Sequence, residues 1–399
     1  MTKTFAERVA KLGLGDPSNW LCDEIDALIT VESVDDLKEI LDFGFEKAAR
    51  EAHVKALFEG VAQSSDNESA LLRRVHDFIF GSAELSPDDR KLVDAAFPLE
   101  VGIMAAPDKK INSQWHLGKS TSPVVVNVGT LTIEQGGYIT IENTLLNFNV
   151  DTIIRNGTTG STVGDFNILG VAGAAGTTGP TPDAPGQAQN GNPGNCSSAG
   201  IAGSGGGNGT TGAVGTIGGV GTDGKDGLPS MPATINITKG VQLGPNASQI
   251  VIKTMSGAGA PGGAGGTGSK GGKGGNGGNG VSCGCTGNSG GSGGQGGKGG
   301  PGGVGGPGGN AVDAAGNIIV NVPAQFANMF VPLPVTAQPG TGGAAGAGGS
   351  GGDGGSGGSG GKHNSGGSSG GSGAPGDPGT RGPGGTQTGK PATVLIQPT

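Results

Sequence analysis

Beyond roughly its first hundred residues, this chain carries very few groups able to cross-link it or to hold a metal ion tightly. They are Cys196, Cys283, Cys285 and His363, with His116 the only other histidine. Each of the four lies where a glycine-rich run breaks off: Asn195-Cys-Ser-Ser-Ala199, Val281-Ser-Cys-Gly-Cys-Thr286 and Lys362-His-Asn-Ser365. If these breaks meet in space, three chemistries are open. Cys196 can form a disulfide with Cys283 or with Cys285, whereas Cys283 with Cys285 would close a strained ring. Cys196, Cys283, Cys285 and His363 together form a Cys₃His set suited to tetrahedral zinc. The thiols can also remain free. No carboxylate pair and no nucleophile–base set stands out. Leu117-Gly-Lys-Ser120 ends like a phosphate-binding loop, but Ser113 stands where its first glycine is required. Trp115 and His116 beside it read as packing residues. The sequence therefore points to no enzyme and requires no cofactor.

The elements that position the breaks are set by glycine. Of 399 residues 91 are glycine, and only 4% are aromatic. From Gly200 to Gly227 glycine falls at every third position without interruption, and the register recurs over 259–280, 287–308, 348–360 and 367–385. A period of three matches the polyproline-II helix, which has no internal hydrogen bonds. A bare glycine face lets another backbone come close enough for N–H···O and Cα–H···O bonds.

A unit of about eighty residues repeats. It opens with a strand (Phe166-Asn-Ile-Leu, Ile250-Val-Ile-Lys, Val331-Pro-Leu-Pro-Val) and closes with another (Thr234-Ile-Asn-Ile-Thr, Asn317-Ile-Ile-Val-Asn-Val, Thr393-Val-Leu-Ile-Gln). Between them lie an outgoing run, a break and a returning run. The expectation is a C-terminal bundle, over 166–399, of six antiparallel polyglycine-II helices in three hairpins at 170–227, 257–310 and 340–389. A run of about 24 residues would span roughly 75 Å, with the breaks as tips. Lys270, Lys273 and Lys298 could reach Asp353 or Asp377, but read as solvated and unpaired.

Residues 1–105 read as an all-α attachment or assembly head. Asp16-Pro17, Ser33 and Ser86-Pro87 are helix starts. Trp20, Leu21, Ile25, Leu28 and Ile29 recur at helical spacing, as do Leu37, Ile40, Leu41, Phe45 and Ala48, and Leu71, Leu72, Val75 and Ile79. His53 and His76 read as partly exposed helix residues and Cys22 as a small buried hydrophobe. Residues 106–165 form a short β base, solenoid or sandwich, with strands from Val124 to Ile154 and a turn at Gly136-Gly137. The whole is multidomain.

Net charge is −8. Residues 1–120 hold 14 Lys/Arg and 22 Asp/Glu, and the remainder 10 of each. An acidic head and a neutral body leave no footprint for nucleic acid. No apolar stretch approaches the ~20 residues of a membrane span, and no signal peptide is visible. Runs such as Gly271-Gly-Lys-Gly-Gly-Asn-Gly-Gly-Asn-Gly280, alternating with short breaks, resemble the receptor-binding adhesins at the ends of T-even-type phage long tail fibres. Mycobacterial glycine-rich surface proteins and springtail antifreeze proteins look similar too. The phage resemblance covers about 165–390. It implies an extracellular, cell-surface or virion protein whose distal loops contact a cell-surface protein or glycan. On that reading Asn195, Cys196, Ser197, Ser282, Cys283, Cys285, Thr286, Lys362, His363 and Asn364 make the contacts. The head would link the chain to itself or to a carrier structure. The alternative is a self-assembling structural protein forming a fibre or layer, since such slabs have open bonding edges. Ice binding is third, on the short row Ser350, Ser356 and Ser359.

Overall fold

A computed structural model describes residues 3–41, 47–60, 67–118, 122–158 and 162–399. The elements run α1 (Phe5–Lys11), β1 (Ile25–Val31), α2 (Val34–Leu41), α3 (Lys47–Phe58), α4 (Asn67–Phe80), α5 (Pro87–Asp94), β2 (Leu99–Ile111), β3 (Gln114–Gly118), β4 (Val124–Ile133), β5 (Tyr138–Glu142), β6 (Leu146–Arg155) and β7 (Phe166–Leu169). They continue with β8 (Ala233–Leu243), β9 (Ile250–Met255), β10 (Ser282–Cys283), β11 (Thr286–Gly287), β12 (Ile318–Val322), β13 (Phe330–Val335) and β14 (Val394–Pro398).

From β2 onward the main strands alternate between two sheets. One sheet has seven strands in the order β1-β2-β4-β6-β8-β12-β14, and the other five in the order β13-β9-β7-β5-β3. All pairings in them are parallel except β1 with β2. The chain thus coils from one sheet to the other, and the facing apolar sides make the main core. Val126, Val128, Phe148, Ile235 and Ile318 come from the larger sheet, and Ile139, Phe166, Ile250 and Ile252 from the smaller. Phe148 and Phe166 meet edge to face across it, 5.4 Å between centroids.

The other face of the larger sheet carries the helices. Leu37, Leu41, Ala56, Leu57, Phe78 and Ile79 pack there with Val101, Val125 and Ile319. The same face bears an in-register row of asparagines, Asn127, Asn149, Asn236 and Asn321. Asn236 donates to Asn149 at 2.9 Å and Asn321 to Asn236 at 2.7 Å. Arg8 of α1 reaches Asn127 and the buried Asp151, beside a small cleft of about 50 Å³.

This overturns the expected architecture of an all-α head, a short separate β base and a six-helix bundle. The molecule is α/β, built on a mixed seven-stranded and a parallel five-stranded sheet. Ile25, Leu28 and Ile29 belong to a strand, not a helix. Ile25, Ala27, Ile29 and Val31 alternate inward, and the strand pairs with β2, leaving Leu28 exposed. The stretch from Ser33 to Ala48 holds α2 and the start of α3, and Phe45 lies outside the described residues. The head shares its core with the last repeats: Asn317 donates to the carbonyls of Ala56 and Glu59. The glycine runs are insertions between strands of these sheets and, Gly287 of β11 apart, form neither α-helix nor β-strand.

The runs are held by their own hydrogen bonds. Number them I (171–194), II (203–228), III (257–281), IV (287–312), V (338–361) and VI (366–390). Runs adjacent in sequence are antiparallel. Gly263, Gly266 and Gly272 of run III donate to Thr222, Gly219 and Ala213 of run II. Alternate runs are parallel. Gly262, Gly265 and Gly268 donate to Thr341, Ala344 and Ala347 of run V. Runs I, III and V prolong β7, β9 and β13 of the smaller sheet, and runs II, IV and VI lead into β8, β12 and β14 of the larger. The two sheets therefore continue as two layers. Side chains at the third positions add stitches, with Asn276 Oδ1 accepting from Ser356 N and Asn279 Oδ1 from Ser359 N. Against expectation, Lys270 pairs with Asp353 and Lys298 with Asp377, both at 2.7 Å. The pairs are exposed and add little.

His53 and His76 are buried rather than partly exposed, His53 tilted against Phe80 and His76 edge-on to it, while Cys22 is exposed. Burial pushes both imidazoles down to about 4, and His53 adds repulsion on His76. The unfolded rings take up protons near pH 6.5 and the folded ones only near 4, so stability is full above pH 6.5 and falls as pH drops towards 4. Each ring should cost up to about 3 kcal/mol by pH 4. Urea midpoints at neutral and acidic pH will show a drop that His76→Leu roughly halves. In run IV, a Cβ on Gly297 would overlap the Ala213 carbonyl oxygen. Gly297→Ala should lose about 1–3 kcal/mol. The exposed Ser350→Ala should stay within about 0.5 kcal/mol in the same urea titration.

Candidate functional site

The three turns joining runs I to II, III to IV and V to VI sit side by side at the end of the layers away from the sheets. Each has its own local cause. In the first, Asn195 Oδ1 accepts from Ser204 N, Cys196 bridges Ala202, and Gly200 takes φ +69° to close the loop. In the second, β10 and β11 form a minimal hairpin around Gly284 and Cys285, with Gly284 at φ +57°. In the third, His363 itself adopts φ +61°, and the Asn364 side chain donates to the Lys362 carbonyl.

Cross-bracing makes one surface of the three. Cys196 and Cys283 form a disulfide, with Cα atoms 5.6 Å apart. The Asn288 side chain donates to the carbonyls of Asn195 and Ser204, tying the second turn to the first, and the Thr286 hydroxyl accepts from Ala202 N. The Ser282 hydroxyl accepts from Lys362 N at 2.9 Å, and Asn364 donates to the Gly287 carbonyl at 2.7 Å, tying the third turn to the second. Asn195, Ser197, Ser282, Cys285, Thr286, Lys362, His363 and Asn364 remain exposed, while Cys283 is buried beneath them. No protein-family model, curated protein or solved structure matches this chain.

The structure thus selects Cys196–Cys283 among the cysteine pairings and leaves Cys285 a free, exposed thiol. The Cys₃His zinc set is not assembled, because two of its sulfurs are consumed by the disulfide. Among the described residues no cluster of three His, Cys, Asp or Glu is placed to hold a metal ion. Asn288, which braces two turns from within run IV, is not among the residues that linear spacing picks out. Its signal is an asparagine immediately after Gly287, where the run resumes. Trp115 packs edge to face on Phe148, and His116 lies 3.9 Å from Glu142. Lys119 and Ser120 lie outside the described residues.

What the site offers chemically is a small patch of hydroxyl, amide, ammonium and imidazole groups on a fixed backbone. The disulfide closes a sequence separation of 87 residues, which in the chain-entropy account is worth at most about 4–5 kcal/mol. Comparing urea midpoints of the native chain and the Cys196→Ser/Cys283→Ser variant should show a loss approaching that value. The Cys285→Ser variant should leave the midpoint unchanged.

Proposed function

We propose that the protein is a non-enzymatic adhesin or fibre-tip module that presents its three hairpin turns to a cell-surface protein or glycan. One observation carries this reading: the three turns gather at one end, remote from the sheets, and are braced to each other by a disulfide and side-chain hydrogen bonds. Bracing removes the ordering cost that a flexible loop meets on binding. The exposed groups are small and polar, with little apolar area. They are therefore suited to hydrogen-bonding recognition of hydroxyl-rich or polar surfaces more than to burial of a hydrophobic partner. The two layers act as a stiff spacer, and the head and coiled sheets as the proximal mount, through which the chain joins itself or a carrier.

The test is binding of the fluorescently labelled full chain to a panel of intact cells and to immobilised glycans. It compares the native protein with a Ser197→Glu/Lys362→Glu/His363→Ala variant, whose altered side chains are all exposed. The expected outcome is saturable binding to some members of the panel and loss of at least about tenfold in affinity for the variant. Equal binding by both proteins would move the contact surface away from the turns.

A further inference from the structure

The helical head closes onto the larger sheet along a seam that is partly polar. On the sheet side, Asn147 of β6 and Thr234 of β8 are buried and in register. On the helix side, His53 of α3 and His76 of α4 are buried, each with its ring centroid 5.7 Å from that of Phe80. Nε2 of His53 lies 3.4 Å from the Thr234 hydroxyl, and His76 is edge-on to Phe58. Neither atom of the Asn147 amide, nor Nδ1 of His76, has a hydrogen-bond partner among the described residues. Polar groups buried in that state lose their hydration without compensation, so the seam is closed at a cost. Its apolar part is separate from the core between the sheets. Leu57, Phe78 and Ile79 of the helices pack with Val125, Leu145 and Ile319, none of which belongs to the other core.

We propose that α3 and α4 form an acid-operated latch: protonation of His53 and His76 lifts the two helices from β6, β8 and β12 while the coiled sheets and the glycine layers stay folded. An imidazolium is stable only where water or polar groups solvate its charge, and two of them against one Phe80 ring repel. Once the helices lift, both rings are hydrated, and the apolar surfaces of Leu57, Phe78, Val125 and Ile319 are uncovered. The released rings take up protons near pH 6.5 and the docked ones only near 4, because burial lowers both and His53 adds repulsion on His76. The released state therefore binds more protons across that interval and gains as pH falls through it. The two rings together shift the opening equilibrium on the order of 10⁴-fold by pH 4.

The charges around the pair do not reverse this. On α4, Asp77 follows His76 in sequence, and burial raises its carboxyl, so it loses its charge at a higher pH than an exposed aspartate. Arg73 lies over the Phe58 ring at 5.2 Å and adds a cation there, and Arg74 is held by Asp89. On α3, Glu51, Lys55 and Glu59 are exposed and Arg50 is half-buried. On α2, Asp35, Asp36 and Glu39 are exposed, and Lys38 sits over the Phe78 ring. Beneath the helices, β8 and β12 present Thr234 and Asn317. Asp151, further along the same face of β6, is held by Arg8 and Lys239. The hydrogen bonds between the glycine runs join backbone groups, which do not titrate in this range.

The experiment follows amide hydrogen exchange of the full chain between pH 7.5 and pH 4.5, corrected for the intrinsic exchange rate at each pH. At pH 4.5, α3 and α4 should lose at least about a hundredfold of their protection, while β9 and Gly262–Gly280 keep theirs. A His53→Leu/His76→Leu variant should keep α3 and α4 protected at pH 4.5. Asn147→Leu replaces the unpartnered amide by an apolar group and leaves both histidines in place. It should move the midpoint of release down by roughly half a pH unit, and that shift decides the matter even if the double variant does not fold. Unchanged protection of α3 and α4 at pH 4.5 overturns the proposal. So does simultaneous loss of protection in the helices and the glycine layers, which is global unfolding. Release of a folded double variant at the same pH as the native chain overturns it too, as does a midpoint that Asn147→Leu leaves unmoved.

Discussion

The N–H···O bond made at every third residue between glycine runs is the constraint on which the rest of this structure depends. Glycine loses more conformational freedom on ordering than any other residue, and the runs have no apolar core of their own. What offsets that loss is close approach. Without a Cβ, Gly272, Gly275 and Gly278 of run III lie against run II and donate to Ala213, Thr210 and Gly207 at 2.8–2.9 Å. The neighbouring glycines 271, 274 and 277 donate to run V at 2.8–2.9 Å. Each such bond nets only about 0.5–1.5 kcal/mol, so the layers depend on many of them in register.

The coiled sheets set that register. Parallel pairing of β7 with β9 and of β9 with β13 launches runs I, III and V side by side, and β8, β12 and β14 receive runs II, IV and VI. Once both ends are fixed, the turns have no freedom to drift. The Cys196–Cys283 bridge and the Asn288, Ser282 and Asn364 hydrogen bonds lock the far end at positions already determined at the near one. The chemistry of the turns is thus a consequence of strand pairing at the opposite end of the layers.

How much of this could be read from the sequence varies with the range of the interaction. The three-residue period is local, and in the structure it is the period of the hydrogen bonds. The breaks at Asn195, Ser282 and Lys362 are likewise the turns, because each interrupts a glycine row. The helical expectation for the head fails because Ile25, Leu28 and Ile29 fit helical spacing as well as Ile25, Ala27, Ile29 and Val31 fit a strand. Only pairing with β2 decides between them. Strand β2 went unread because Met104-Ala-Ala-Pro-Asp-Lys-Lys110 lacks the β-branched residues that announce β4 and β6. The disulfide partner of Cys196 depends on which side of a two-residue turn faces the first loop, and the Lys270–Asp353 and Lys298–Asp377 pairs on offsets of about eighty residues. Long-range register of that kind leaves no trace in linear spacing. The burial of His53 has a related cause: its ring meets Thr234 of β8, far along the chain.

Residue-resolved amide hydrogen exchange across runs III and IV tests the account most directly. The account predicts a repeating pattern in which two amides of every three, such as Gly271 and Gly272, exchange slowly. The third, such as Lys270 and Lys273, should exchange fast, since it faces solvent. Uniformly fast exchange through both runs, as in a flexible glycine linker, would contradict it.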